Sequence, residues 1–390
     1  MDSSTSFKNH RFHVLDGMRG IAAIIVMLFH FYNRFSYPFL KNAYIAVDFF
    51  FILSGFVVYH AYGCKLTTEA GIRKYLANRI GRLFPMVAIG LFLGLFPLIE
   101  LTRSGHADYS NRNLIVSVVC NLFMLPYMNA RIKDFGGNSQ AIGQIFPADD
   151  PLWSIFAEMF ASIVFIGLIR TSRSFLAKFC LISLTVLWIY AYYTAHLAGS
   201  KGFDADVGWN TSTFWGIFPR VCYGFACGIW IYRTRAYKIA FEVTSIQRKR
   251  IAHPIVIYSL LVALLVFPVR AEGLYGLLAI STLAPLLVAA GAQSNLPLSS
   301  PLSGVSRTLG WISYPLYCLH RPILGLITVL DDRTSILHEY HCSTQIAAIF
   351  ATVACSVMIG KLLDYLIVQR RISALVFIFL SKLPIRRIGN

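Results

Sequence analysis

Arg19 and His30 are two ionisable residues eleven positions apart in one apolar stretch. Eleven helical steps of about 100° come to about 1100°, some 20° past three full turns. The two side chains therefore share a face, roughly 16 Å apart along the axis at 1.5 Å per residue. Asp16 falls within about 40° of the same line. In a hydrocarbon core about 30 Å thick, Arg19 sits at the mouth and His30 near mid-membrane. Imidazole takes and returns a proton near neutral pH, so a buried His is a base candidate. The alternative is a His satisfied by a neighbouring helix.

Other polar residues interrupt apolar runs, where an ionisable group is costly and marks function by default. Asp48 precedes Phe49 to Leu53; it either orients a histidine or caps a helix. Arg79 and Arg82 stand at i, i+3 on one helical face, a pattern suited to phosphate and equally to any helix entering from the cytoplasm. Glu158 follows Pro151-Leu152-Trp153-Ser154, and Arg220 lies at a similar depth in a later span. The two read as a structural ion pair or as a polar wall for a sugar or alcohol. His320 lies near mid-depth after Ser313-Tyr314-Pro315-Leu316-Tyr317, with a kink expected at Pro315.

The elements that must position these groups are membrane spans. Of 390 residues, 56% are hydrophobic and only 14% charged, against about 25% charged in a soluble domain. That composition excludes a soluble globular protein and disorder. The net charge of +17 is explained by Lys and Arg gathered in cytoplasmic loops, not by a nucleic-acid site. The eight cysteines form no CxxC pair or Cys/His cluster, so neither a zinc site nor a disulfide scaffold is expected. No small-residue cleavage site follows the first apolar run, which is read as an uncleaved span.

Apolar segments fall at 20–38, 44–62, 84–101, 113–127, 152–169, 176–196, 213–232, 254–269, 274–292, 309–330 and 345–369. Basic stretches follow the second segment (Lys65, Arg73, Lys74, Arg79, Arg82), the seventh (Arg233 to Arg250) and the last (Arg370 to Arg387). All three belong in the cytoplasm. The stretches with Asp204 and Asp206, and with Asp331, Asp332 and Glu339, belong outside. The signs alternate only if 113–127, short of the roughly 20 residues a span needs, is re-entrant. Such backbone must be satisfied by protein or a wet cavity, so a cavity is expected near the outer face. The expectation is an all-α polytopic membrane protein in the inner (cytoplasmic) membrane. It has about ten spans, one re-entrant half-helix and both termini cytoplasmic. Its parts are a segment 1–19, a membrane domain 20–369 and a basic tail 370–390.

Taken together the motifs resemble the membrane acyltransferase 3 family. Leu15-Asp16-Gly17-Met18-Arg19-Gly20 closing on Phe29-His30 is similar to its Arg-x10-His signature. Val47-Asp48-Phe49-Phe50-Phe51-Ile52-Leu53-Ser54-Gly55-Phe56, Arg79-Ile80-Gly81-Arg82 and Pro151-Leu152-Trp153-Ser154 with Glu158 resemble its later motifs, in order. So do Pro219-Arg220 and Ile312-Ser313-Tyr314-Pro315-Leu316-Tyr317-Cys318-Leu319-His320. Ala46, Phe156, Met159 and Arg321 depart from the pattern.

The resemblance implies transfer of an acyl group, by default acetyl, from cytoplasmic acyl-CoA to a hydroxyl of an exported polysaccharide or lipid-linked glycan. It gives Arg79 and Arg82 the CoA phosphates and has Arg19 support the same end. His30 becomes the base or a transient acyl carrier. Asp48 or Glu158 would fix its tautomer, and Ser313, Tyr314 or His320 would supply the oxyanion donor. No resident cofactor or metal is implied. The implied partners are acyl-CoA, the glycan, the bilayer and a polysaccharide synthase or export complex. A transporter using His30, Asp48 and Glu158 as a proton relay is the competing reading, but the internal repeats common in transporters are not visible. A purely structural subunit leaves the cost of the buried charges without a role.

Overall fold

The computed structural model describes residues 11–34, 40–105, 107, 109–128, 132–133, 141–234, 253–269, 271–294, 296–334 and 341–382. The basic stretch 235–250, His10, His338 and the tail residues Arg386 and Arg387 lie outside the described residues.

Twelve helices follow one another among the described residues. They are α1 (His13–Arg34), α2 (Ile45–Tyr62), α3 (Glu69–Arg103), α4 (Asn111–Leu122), α5 (Leu152–Leu168) and α6 (Arg173–Leu197). Then come α7 (Ile217–Thr234), α8 (Pro254–Val266), α9 (Glu272–Gln293), α10 (Pro301–Thr334), α11 (His341–Tyr365) and α12 (Val368–Ser381). A two-residue antiparallel pairing, Ile132–Lys133 with Ala141–Ile142, is the one departure from helix and loop among the described residues large enough to form a sheet. Seven helices among the described residues are long and apolar enough to cross a membrane, and α5 and α8 are shorter apolar helices.

Local signals set several starts. Thr68, Ser110 and Ser172 accept hydrogen bonds from the backbone amides of Gly71, Asn113 and Phe175 at 3.1, 3.2 and 3.0 Å. These caps satisfy amides that the first turns of α3, α4 and α6 leave without partners. Between helices, small residues set the spacing. A Cβ on Gly55 of α2 would lie 2.0 Å from the Phe225 carbonyl oxygen, and one on Gly228 of α7 would lie 2.0 Å from that of Ile52. The α2 and α7 backbones thus meet with no side chain between them, a packing that small residues make possible in membranes. Helices α1, α2 and α7 are the most enclosed, while α6 and α11 turn most of their surface outward.

Helix directions carry information about crossing. Arg19 of α1 reaches Gly310 and Ser313 of α10, while His30 meets His320. The two helices therefore run parallel. In α2 and α7, Asp48 meets Arg220 and His60 meets Tyr232, so these also run parallel. If every helix from α3 to α6 crossed, α7 would oppose α2. An odd number of those four does not cross. The 12-residue α4 spans only about 18 Å and is the shortest. The residues 113–127 expected to be re-entrant contain it. Asn121 pins its end, donating to the carbonyls of Leu125 (3.0 Å) and Ile145 (3.1 Å). Residues 370–381, read as part of a tail, fold as α12 and lie along α3.

Candidate active site

The polar groups gather along an axis enclosed by α1, α2, α3, α5 and α10. At its basic end, Arg19 donates from Nε to Ser313 Oγ (2.9 Å) and from Nη2 to the Gly310 carbonyl (2.5 Å). Close approach is possible there because Gly20 lies against Leu309 and Gly310 against Asp16. A mouth cavity of about 210 Å³, lined by Arg11, Asp16, Arg19, Arg82 and Tyr314, opens at this end. A central cavity of about 110 Å³ follows, lined by Arg19, Arg82, Ser54, Glu158, Ser313 and Tyr317 among others.

The paired arginines of α3 part company. Arg79 is 4% exposed; it pairs with Glu158 and donates to Ser162 Oγ at 3.1 Å. Ser54 also donates to Glu158 Oε1, at 2.8 Å. Arg82, turned about 60° away on the helix, is exposed and lines both cavities. It forms no ion pair among the described residues.

Asp48 and Glu158 do not reach the histidines. Arg220 grips Asp48 in a fork, Nε to Oδ1 at 2.9 Å and Nη2 to Oδ2 at 2.7 Å, and donates from Nη1 to the Val207 carbonyl at 2.5 Å. Its guanidinium lies 5.2 Å from the Trp153 ring, within cation–π range. Both side chains are essentially unexposed. The pairing considered between Glu158 and Arg220 is replaced by two separate pairs, because their partners on α2, Ser54 and Asp48, stand six residues or about 9 Å apart along that helix. Asp206, in the loop before α7, stands 3.6 Å from Arg220. Burial lifts its carboxyl to about 6, against the opposing pull of Arg220.

Deeper in the bundle the His30 and His320 rings stand 5.1 Å apart, centroid to centroid. His320 Nδ1 lies 3.0 Å from the Leu316 carbonyl. A carbonyl only accepts, so in neutral His320 Nδ1 carries the proton and Nε2 the lone pair. That Nε2 is buried and has no hydrogen-bond partner among the described residues. Tyr317 separates the pair from the central cavity, its hydroxyl 2.7 Å from Ser154 Oγ and its ring packed edge-on against Phe50. Ser313 and Tyr314 donate to the carbonyls of Gly310 and Leu83, both at 2.7 Å. The guanidiniums of Arg19 and Arg82 are the strongest donors left facing the passage.

Sequence reasoning missed the far end. Asp149 is 1% exposed, and among the described residues both its carboxylate oxygens lack hydrogen-bond partners, as does Asp150 Oδ1. Asp150 and Arg321 line a small cavity of about 50 Å³ with Gln144 and Thr328. The adjacent acids immediately before an apolar helix were the available signal, and Arg321 stood out as a departure from the motif it ends.

The acyltransferase domain profile of the acyltransferase 3 family matches residues 12–361. The chain belongs to that family. It is a membrane acyltransferase, and the matched stretch holds every site residue described above except Arg11. The chain is also similar to a protein named Protein 2 in picA locus, from Rhizobium radiobacter. That similarity is 32% identity over 169 residues, covering 40% of this chain and 81% of the relative. No solved structure matches.

Proposed function

We propose that this acyltransferase is an O-acetyltransferase of the inner membrane, taking acetyl from acyl-CoA in the cytoplasm and delivering it to a hydroxyl of an exported or lipid-linked glycan. The observation that carries the reading is the passage itself. It starts among arginines, narrows through a polar cavity and ends at Tyr317, behind which His30 and His320 face each other; a second cavity, lined by Asp150 and Arg321, lies beyond. In this reading both termini are cytoplasmic, ten helices span, α4 is re-entrant and α12 lies at the surface.

Arg82 holds CoA phosphate at the basic end, and Arg19 steadies the pantetheine arm entering the central cavity. The roughly 16 Å from Arg19 to His30 is the run that arm covers. His30 is the general base. It takes the proton of the acceptor hydroxyl as that oxygen attacks the thioester carbonyl. The C–S bond then breaks, CoA leaves as thiolate and the proton returns to sulfur. His320, held in one tautomer, supports His30 from α10. The glycan approaches from the opposite end, past Asp150 and Arg321. At 10–15 Å³ per water, a cavity of about 50 Å³ holds about four waters. It admits the hydroxyl edge of one sugar and leaves the rest of the glycan outside.

The test is base-labile ester on surface glycan, measured by NMR in cells carrying wild type, a deletion or His30→Ala at equal expression. Loss of ester in both the deletion and His30→Ala cells is expected. Ester that persists in His30→Ala cells moves the base elsewhere, and ester unchanged in the deletion refutes the glycan acceptor.

A further inference from the structure

A third cavity lies beside the passage. It measures about 560 Å³, between α3 and α12, within the range that holds a ligand. Among the described residues, three cations line it, Lys74 and Arg82 from α3 and Arg370 from α12, and no carboxylate does. Asn78 and Ser373 add hydrogen-bonding groups, and Phe377 adds an aromatic face. Helix α12 follows the family-matched residues, which end at 361. Its seat is Gly81. A Cβ there would lie 2.0 Å from Ser373 Oγ and 2.7 Å from the Ser373 amide nitrogen. The glycine between Arg79 and Arg82 is what lets α12 close onto α3. Leu375, Ile378 and Phe379 of α12 are more than half exposed, as in a helix lying in a bilayer interface.

We propose that this cavity takes the 3′-phosphoadenosine diphosphate end of acyl-CoA, with α12 as the wall that clamps it. The inference rests on the acyl-CoA reading above. Three guanidinium and ammonium groups without an acid among them call for a multiply charged anion, and CoA carries a pyrophosphate and a 3′-phosphate. Arginine matches phosphate oxygens in pairs, while lysine meets them as a point charge. The Phe377 ring offers the adenine a stacking surface. Arg82 lines this cavity, the mouth cavity and the central cavity alike. Nucleotide bound here therefore feeds its pantetheine arm past Arg82 toward Arg19.

The experiment is calorimetric titration of the full-length protein in nanodiscs, with and without phosphatidylglycerol. The probes are CoA, 3′-dephospho-CoA and 4′-phosphopantetheine. Arg370→Gln, Lys74→Gln and Phe377→Ala are compared with wild type, all at exposed positions. Arg370→Gln and Lys74→Gln are each expected to weaken CoA binding about tenfold, the scale of one charged hydrogen bond, and Phe377→Ala about tenfold through lost base stacking. Phosphopantetheine affinity stays unchanged, and wild type prefers CoA to 3′-dephospho-CoA. Wild-type CoA affinity in all three variants overturns the proposal while leaving the acyl-CoA reading standing. Absence of CoA binding to wild type refutes that reading and the proposal with it. Unchanged CoA affinity together with lost stabilisation by phosphatidylglycerol also overturns it, giving the cavity to a lipid headgroup.

Discussion

Asp48 was a candidate for orienting the catalytic imidazole, yet its carboxylate is committed to Arg220. The two assignments predict different behaviour when the pair is cut. Asp48→Ala leaves a guanidinium with 0% side-chain exposure facing no full countercharge, since Asp206 stands 3.6 Å away and is partly exposed. Breaking one half of a buried pair costs about 3–5 kcal/mol, roughly two to three and a half powers of ten in the folded ratio at about 1.4 kcal/mol per decade. Removing both charges is different, because apolar replacement of a buried pair is often neutral. Asp48→Ala with Arg220→Met should therefore recover most of the loss. The assay is thermal unfolding in detergent together with acyl transfer per folded molecule. We expect Asp48→Ala to unfold at markedly lower temperature, with the double variant near wild type in stability and retaining activity. A double variant that is stable but as inactive as His30→Ala would refute the structural role and return Asp48 to the chemistry.

Arg82→Gln is expected to raise the acyl-CoA KM about tenfold with unfolding unchanged; Arg79→Gln, which strands Glu158, is expected to lower unfolding temperature, and both are read by steady-state kinetics and thermal scans. Gly55→Leu would drive a side chain into the Phe225 carbonyl and should destabilise by about 1–3 kcal/mol, seen as a lower unfolding temperature and a broadened size-exclusion peak. Asp206, lifted to about 6 by burial against the opposing pull of Arg220, keeps its proton more tightly folded than unfolded. Its ionisation therefore weakens the fold as pH rises from about 4 through 6. Asp206→Asn should match wild type near pH 4 and exceed it in unfolding temperature at pH 7, and an unchanged difference across that range would contradict the assignment.

Much of the site's layout was legible because helical periodicity needs no knowledge of neighbours. Arg19 and His30 were expected on one face, and both face α10. The short segment 113–127 and the alternating loop charges implied a helix that does not cross, and the parallel run of α2 with α7 requires an odd number of such helices among α3 to α6, of which α4 is the shortest. What the sequence could not carry was azimuth between helices. Glu158 and Arg220 read as equally deep, but Glu158 turns to Ser54 and Arg79 while Arg220 turns to Asp48, about 9 Å away along α2. Arg79 and Arg82 look equivalent at i, i+3, and only packing of α5 against α3 buries one and frees the other. The α3–α12 cavity was equally hidden, since 370–390 was read as a basic tail from Arg370, Arg371, Lys382, Arg386 and Arg387, and the apolar residues between them show their role only on the helix they lie along.

The Tyr317 partition has an electrical consequence. The central cavity ends at Tyr317 and the far cavity begins at Arg321, four residues or about 6 Å along α10. With conducting water in the cavities on both sides, the membrane voltage drops over that short stretch rather than over about 30 Å, so the local field is about five times steeper. A potential of 100 mV is worth about 2.3 kcal/mol per elementary charge moved fully across. A proton shifted between the imidazoles and the far cavity would feel much of it. Ester formation in sealed vesicles should accordingly change rate when a potassium-diffusion potential is imposed. The same rate at both polarities would mean that no charge traverses the Tyr317 partition during turnover.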